Sequence, residues 1–270
     1  IGTGGNIQIG KQSSSGLRFL TWVTWRSPEL ELNDMGYLRL SDSIFQVLWM
    51  GYRFANPFSV FRNLNINFNQ WSGWDFGGTR NFVGTNININ GQFTNYWFFN
   101  LGTNIDGNGI DNSFLRGGPS FKSPGGYNYY LNLSSDNRKH FSFGGNHSQY
   151  WSFGNVGNNQ NYGVFARYQP VNALRIFFRP GFSTRRSTLQ YLTTTKYLGE
   201  NRYIFSSIRQ QTVSATFRID YTLSQDFTIQ YYGSPFISSG NYYDAKVITN
   251  PKAENFKDRY SSNVPLINNT

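Results

Sequence analysis

The stretch Phe58-Ser59-Val60-Phe61-Arg62-Asn63-Leu64-Asn65-Ile66-Asn67-Phe68-Asn69-Gln70 decides how this chain is read. Phe58, Val60, Leu64, Ile66 and Phe68 interleave with Ser59, Asn63, Asn65, Asn67 and Asn69, so apolar and amide side chains alternate with period two. Successive side chains of a strand point to opposite faces, whereas a helix returns to the same face about every 3.6 residues. The stretch therefore predicts a strand with one apolar and one amide face. The period recurs where Ile87 and Ile89 alternate with Asn86, Asn88 and Asn90. It recurs again where Val213, Ala215, Phe217, Ile219 and Tyr221 alternate with Thr212, Ser214, Thr216, Arg218 and Asp220.

The composition fits such strands and excludes several other classes. Aromatics make up 19% of the 270 residues and charged residues only 14%, against about 25% charged in an ordinary soluble domain. The polarity behind a mean hydropathy of −0.50 is therefore carried by amides, hydroxyls and glycine. A disordered chain would be poor in aromatics and rich in charge. With 0 cysteines there is no disulfide framework and no thiolate site. No run approaches the ~18 apolar residues of a membrane-crossing helix, since Gln46, Gly51 and Arg53 break the stretch from Ile44 to Phe54. Residue Ile1 is not followed by a basic-then-apolar leader, and the sequence reads as an interior piece of a longer chain.

Read this way, strands are predicted near 17–26, 43–55, 58–70, 79–90, 92–102, 126–134, 138–153, 161–168, 173–195, 202–221 and 226–236, with another at 5–11. Tight connections are expected at Ala55-Asn56-Pro57, at Asn90-Gly91 as a type I′ hairpin turn, and at 135–137, 169–172 and 222–225. Long connections are expected at 27–42, 71–78, 103–125, 154–160, 196–201 and after 236. Alternating short and long connections predict one rim of short turns and one of long loops, the habit of an outer-membrane barrel. A strand as long as 173–195 should outreach the ~25 Å apolar band of such a barrel. Trp22, Trp25, Trp49, Trp71, Trp74, Trp97, Trp151, Tyr231 and Tyr232 fall mostly near strand ends, as interfacial girdles would, although a sandwich core is also aromatic.

Several segments resemble one family in order along nearly the whole chain. They are Asn33-Asp34-Met35-Gly36-Tyr37-Leu38 with Ser41-Asp42, Arg116-Gly117-Gly118-Pro119, and Ser135-Asp136-Asn137-Arg138-Lys139. Gln230-Tyr231-Tyr232-Gly233-Ser234-Pro235-Phe236, with Gly240 and Tyr242-Tyr243-Asp244, completes the set. Together they resemble the C-terminal barrel of uncharacterised Bacteroidota outer-membrane proteins that carry a family-9-like carbohydrate-binding domain ahead of the barrel. The resemblance implies an outer-membrane location and an association with glycans, and no established activity. The carbohydrate-binding domain has no counterpart here, and the polar Asn268-Asn269-Thr270 is not a barrel's closing aromatic strand. One barrel domain over 1–270, incomplete at both ends, is the expectation.

Apolar faces turned to lipid would put Asn63, Asn65, Asn67, Asn69, Asn86, Asn88 and Asn90 into the lumen, with Arg175, Arg179, Arg218, Thr228 and Gln230. Amides both donate and accept, which suits a wet channel or sugar hydroxyls, and equally suits plain polar filling. Inward arginines would favour anions in an open lumen. Asn104, Asp106, Asn108 and Asp111, with Gly109 among them, read as the opening of a calcium loop. Leu115 stands where such a loop's bidentate acid belongs, and Asn/Asp/Gly is also ordinary turn chemistry.

Enzyme chemistry has few residues to work with. His140 and His147 are placed on opposite strand faces by their odd spacing, and each has a serine nearby, Ser142 and Ser148. Glu29, Glu31, Asp34 and Asp42 share one long loop, as paired carboxylates would, but Asp34 and Asp42 also fit turn or capping roles. The net charge of +10 is dispersed, without the stripe that nucleic acid requires, and suits anionic lipid or lipopolysaccharide instead. The fold expected is all-β, an up-and-down antiparallel transmembrane β-barrel with about eleven or twelve strands visible. The function expected is a non-enzymatic pore, docking platform or assembly partner, without a cofactor unless calcium binds. Its expected partners are the bilayer and lipopolysaccharide, glycans, and other outer-membrane or periplasmic subunits. A soluble all-β carbohydrate-binding protein and a barrel-wall hydrolase remain as alternatives.

Overall fold

The computed structural model describes residues 1–34, 36, 38 and 40–262. Its first strands are β1 (Gly4–Lys11), β2 (Gly16–Arg26), β3 (Ser43–Phe54), β4 (Phe61–Trp74), β5 (Arg80–Phe93) and β6 (Phe98–Asp106). A small hairpin follows, β7 (Gly109–Asp111) with β8 (Phe121–Ser123), and then β9 (Gly126–Ser134), β10 (Phe141–Ser152) and β11 (Gly157–Val171). The chain continues through β12 (Leu174–Tyr197), β13 (Glu200–Thr222), β14 (Thr228–Gly233), β15 (Phe236–Ile248) and β16 (Tyr260–Ser261). Among the described residues there is no α-helix, only two short 3-10 turns.

All but β7 and β8 belong to one 14-stranded antiparallel sheet, in which sequence neighbours pair in order from β1. The sheet is an open path rather than a closed barrel, with β1 at one edge and, at the other, β14 and β15 with the two-residue β16 paired to the end of β15. β14 and β15 act as one strand, because Gly233 opposite Phe217 and Phe236 opposite Ser214 keep the same register on β13. Pro235 lies at the gap and has no N–H to donate, though its carbonyl still accepts from Ala215 N at 3.0 Å. Higher up, Asp244 (φ 58°) bulges the strand where the register shifts opposite Ser206 and Ser207.

Strand contacts are almost entirely between sheet neighbours, with β7 touching β5, so the wall is a single layer. Its two faces are sorted in an unusual sense. Ile66, Ile87, Leu101, Leu131, Val164, Phe178, Val213 and Ile237 share one face and are exposed. The opposite face holds the buried Asn86 and Ser142 and most of the amides. This second face is called inner below.

Three expected loops, 71–78, 154–160 and 196–201, are at least half strand. The connections on that rim shrink to 75–79, 153–156 and 198–199, leaving 27–42, 107–125 and 249–259 long among the described residues, so the predicted strict alternation of loop lengths does not hold. At 157–160 and beside the 198–199 turn the reason is physical: both faces of the strand are polar there, so period two disappears from the sequence although the ladder continues. β12 and β13 pair beyond Ser187 up to Tyr197 with Glu200. Their tip is Leu198-Gly199, whose φ values of 50° and 85° fit the type I′ turn that matches strand twist. Asn90-Gly91 is not a turn, since both residues stay in register with Asn65 and Leu64. The hairpin turns instead at 94–97, with Tyr96 at φ 68° and Asn95 Oδ1 accepting from Trp97 N. Residues 236–248, expected in the long connection after 236, likewise form a strand, β15, and 249–259 remain a connection.

Candidate functional site

Asparagine is a poor strand former because its amide competes for nearby backbone groups. Here the competition is resolved across strands. Asn65, Asn67 and Asn69 stand opposite Asn90, Asn88 and Asn86, and each donates to its partner's Oδ1 at 3.1, 2.9 and 3.0 Å. Asn86 then donates to Asn104 Oδ1 at 2.8 Å, and Asn104 to Asn128 Oδ1 at 2.8 Å. The ladder is extended at its other side by Trp49 Nε1 and Arg18 Nη2, which donate to Asn67 and Asn65 at 3.3 and 3.2 Å. Asn63 stands opposite Gln92 at the foot of the same pair of strands. All seven asparagines expected on one face are thus at the inner face. Asn104 and Asn128 extend the row, with Asn100 and Asn132 in register beside them, and their own period-two spacing in β6 and β9 would have found them.

Trp22, Trp49 and Trp71 also lie on this face, in register through Val47, Asn69 and Gly51, rather than in a girdle at strand ends. With Phe45, Asn69, Asn86, Asn104 and Tyr130, Trp71 lines a shallow concavity of about 460 Å³.

The arginines gather toward the rim of short turns. Arg175 donates from Nε and Nη2 to Asp220 Oδ2 at 3.2 and 3.1 Å, and Arg218 Nε donates to Asp220 Oδ1 at 2.9 Å. Arg179 sits farther along, donating to Asn146 Oδ1 at 3.1 Å. Arg175, Arg218 and Asp220 line a cavity of about 490 Å³ with Arg167, Phe165 and Phe177. In the adjoining turn, Arg138 makes a two-pronged ion pair with Asp136 at 2.9 and 2.8 Å. Its guanidinium lies 3.0 Å from the Tyr96 ring centre, with Arg62 at 3.9 Å. The Arg138 hydrogen bonds hold the Asp136 carboxyl down to about 2, against the resistance of burial.

At the other rim the 107–125 loop reaches across to β12 and β13. Leu115 and Phe121 are fully buried there with Leu189, Phe205 and Ile248, the main apolar cluster among the described residues. The Arg-Gly-Gly-Pro segment makes this approach possible. Arg116 and Gly117 adopt φ 51° and 97°, and a Cβ on Gly118 would meet the Tyr203 ring at 2.5 Å. The Arg116 guanidinium lies 4.2 Å from the Tyr191 ring centre. The chain after β15 clamps the loop from outside. Arg259, only 4% exposed, donates to the carbonyls of Ala253 at 2.7 Å and Glu254 at 2.9 Å, and to that of Lys122. Lys122 pairs with Glu254, whose carboxyl is lowered by that hydrogen bond.

The four residues expected to open a calcium loop have separate partners. Asn104 belongs to the amide ladder, Asp106 ends β6, Asn108 accepts from Arg80 at 3.2 Å, and Asp111 accepts from Ser113. Asn33 accepts from Leu38 N at 3.0 Å within the 27–42 loop that also holds Asp34 and Gly36, while Met35 and Tyr37 lie outside the described residues. The acids of that loop are dispersed: Glu29 pairs with the N-terminus of Ile1, Glu31 accepts from Asn33 N, and Asp42 accepts from Phe76 N. His147 packs at a tilt between Tyr129 and Tyr162 on the apolar face, away from Ser148 on the inner one. His140 Nδ1 donates to the Gln169 carbonyl in the short-turn rim. No curated protein and no solved structure matches the chain. A family model described as "Domain of unknown function (DUF5916)" matches residues 1–265, and the chain belongs to that family.

Proposed function

We propose that this chain forms the wall of a bacterial outer-membrane β-barrel that lines an aqueous interior and serves as a pore or docking platform without catalysis of its own. One observation carries the reading: the apolar face is exposed as a band of limited height. On β12 the outward series Leu174, Ile176, Phe178, Pro180 and Phe182 gives way to Thr184 and Arg186. On β13 Tyr221 to Val213 gives way to Gln211 and Arg209, and on the last strand Ile229 to Ile237 gives way to Ser239 and Asn241. Leu174 to Phe182 covers about 26 Å of strand, or about 20 Å of height at a ~40° tilt, near the ~25 Å apolar band of such barrels. The long β12–β13 hairpin then projects into water, where the 107–125 loop covers its apolar side chains Leu189 and Phe205. A single-layer wall in water would instead leave this whole band exposed, far beyond the few hundred Å² tolerated by soluble proteins.

In lipid, the unpaired edges of β1 and of β14 and β15 require strand partners, because bare backbone groups are costly there. The outward Arg186 and Arg209 lie just beyond the apolar band, at the level of lipopolysaccharide phosphates. The inner amides and tryptophans suit sugar hydroxyls, in keeping with the resemblance to glycan-associated barrels, and the clamped 107–125 loop offers a firm surface to another subunit.

The absence of cysteine makes the test simple. Single Val213→Cys and Thr216→Cys variants carrying a bimane label should respond oppositely in vesicles. Brominated lipid should quench the first and aqueous iodide the second. Equal quenching of both sites by iodide would refute the proposal.

A further inference from the structure

We infer that the inner face carries a binding site for a small planar organic anion in the cavity formed by Phe165, Phe177, Arg167, Arg175, Arg218 and Asp220. Three guanidinium groups face one carboxylate there, so the cavity wall keeps an excess of two positive charges. The Asp220 side chain is only 12% exposed, whereas those of Arg175 and Arg218 are 50% and 46% exposed. The buried acid therefore acts as an anchor. It takes two donors of Arg175 and one of Arg218, and a guanidinium has five. Arg167 is tethered in turn by donating to the Asn137 carbonyl. Guanidiniums fixed along one edge lose little freedom when another edge binds a carboxylate, the geometry in which Arg surpasses Lys.

The second element is apolar. The Phe165 and Phe177 rings stack with centroids 6.0 Å apart and planes 28° apart. Phe165 lies over Gly144 of the neighbouring strand, so the ring pair is a fixed apolar surface beside the cationic cluster. Together they match a ligand with a flat apolar body and one or two carboxylates. A volume of about 490 Å³ lies within the ~300–1,000 Å³ common for small-molecule sites. The inference rests on the inner face being the aqueous one.

Isothermal titration of the full chain folded in dodecylmaltoside micelles tests it, with phthalate as probe, inorganic phosphate as the charge-only control and benzyl alcohol as the ring-only control. Phthalate should bind at one equivalent and outcompete both controls. Arg175→Gln and Arg218→Gln should each weaken it about tenfold or more, as loss of a charged hydrogen-bond pair does. Phe177→Leu should reduce the preference for phthalate over succinate. If Arg175→Gln does not fold, Arg218→Gln carries the same expectation. Phthalate binding unchanged in the folded arginine variants, or no binding at millimolar concentration, overturns the site. Neither result touches the bimane experiment, so failure of the site is distinct from failure of the membrane reading.

Discussion

Replacing Val164 by arginine separates a lipid-facing wall from a water-facing one by a margin large enough to measure. Val164 lies on the apolar face of β11, is 59% exposed, and has only Gly145 opposite it on β10. With water outside, Val164→Arg removes almost no packing and buries no charge, so stability should stay within about 0.5 kcal/mol. With lipid outside, the same position falls within the outward series Tyr162 to Tyr168, near the middle of the band. An arginine there costs about 2–4 kcal/mol, falling to about 0–1 kcal/mol toward the interface. Thr184→Arg supplies the depth control, because Thr184 is the first polar outward residue beyond Phe182 on β12. The two variants should therefore differ by about 2–3 kcal/mol, or about 30- to 150-fold in the folding equilibrium. Reversible guanidinium titration in phospholipid vesicles, read by tryptophan fluorescence, measures both. A Val164→Arg protein as stable as the parent, or equal losses in the two variants, would refute a bilayer on that face.

Two further outcomes concern the rims. Arg259→Met leaves the carbonyls of Lys122, Ala253 and Glu254 without their buried donor, a loss of about 2–4 kcal/mol confined to the loop clamp. Amide hydrogen exchange should rise over 112–124 and stay unchanged in the β4–β5 ladder; uniform protection in both would show that the clamp does not hold the loop. Asp136 is held at about 2, below its unfolded value near 3.9, so its ion pair with Arg138 stabilises the fold fully above that unfolded value. The contribution is lost as pH falls from about 4 through 2, and Asp136→Asn should flatten the stability profile across that window alone. A profile identical to the parent's would remove the pair from the account of the turn.

The strands were legible because their alternation is itself the physics of the wall, with Ile66 and Ile89 outward and Asn65 and Asn90 inward. Boundaries failed where that alternation stops carrying information. Asn90-Gly91 has the chemistry of a turn, yet the amide ladder on both neighbouring strands holds it straight. The tips of β12 and β13 are polar on both faces and so read as loop, although the backbone ladder runs on to Leu198-Gly199. Long-range contacts left no local mark at all: nothing near Leu115 or Phe121 announces that they are buried against Leu189 and Phe205.

The same rule that exposes the strands hides the sites on them. If every inward residue of a wall is polar, a ligand-binding arginine looks like its neighbours, and period two cannot tell filler from function. Arg175, Arg179 and Arg218 were equivalent by spacing, yet only Arg175 and Arg218 share a carboxylate. That difference depends on register, since Asp220 is 45 residues from Arg175 and meets it only because the β12–β13 hairpin pairs them directly. Moving the β12–β13 register by two residues would preserve every inward and outward assignment and still dismantle the cluster. In a wall of this kind, function is therefore written in the registration of strands rather than in their pattern. Outward variants such as Val164→Arg test the wall, and inward ones such as Arg218→Gln test what the registration has assembled.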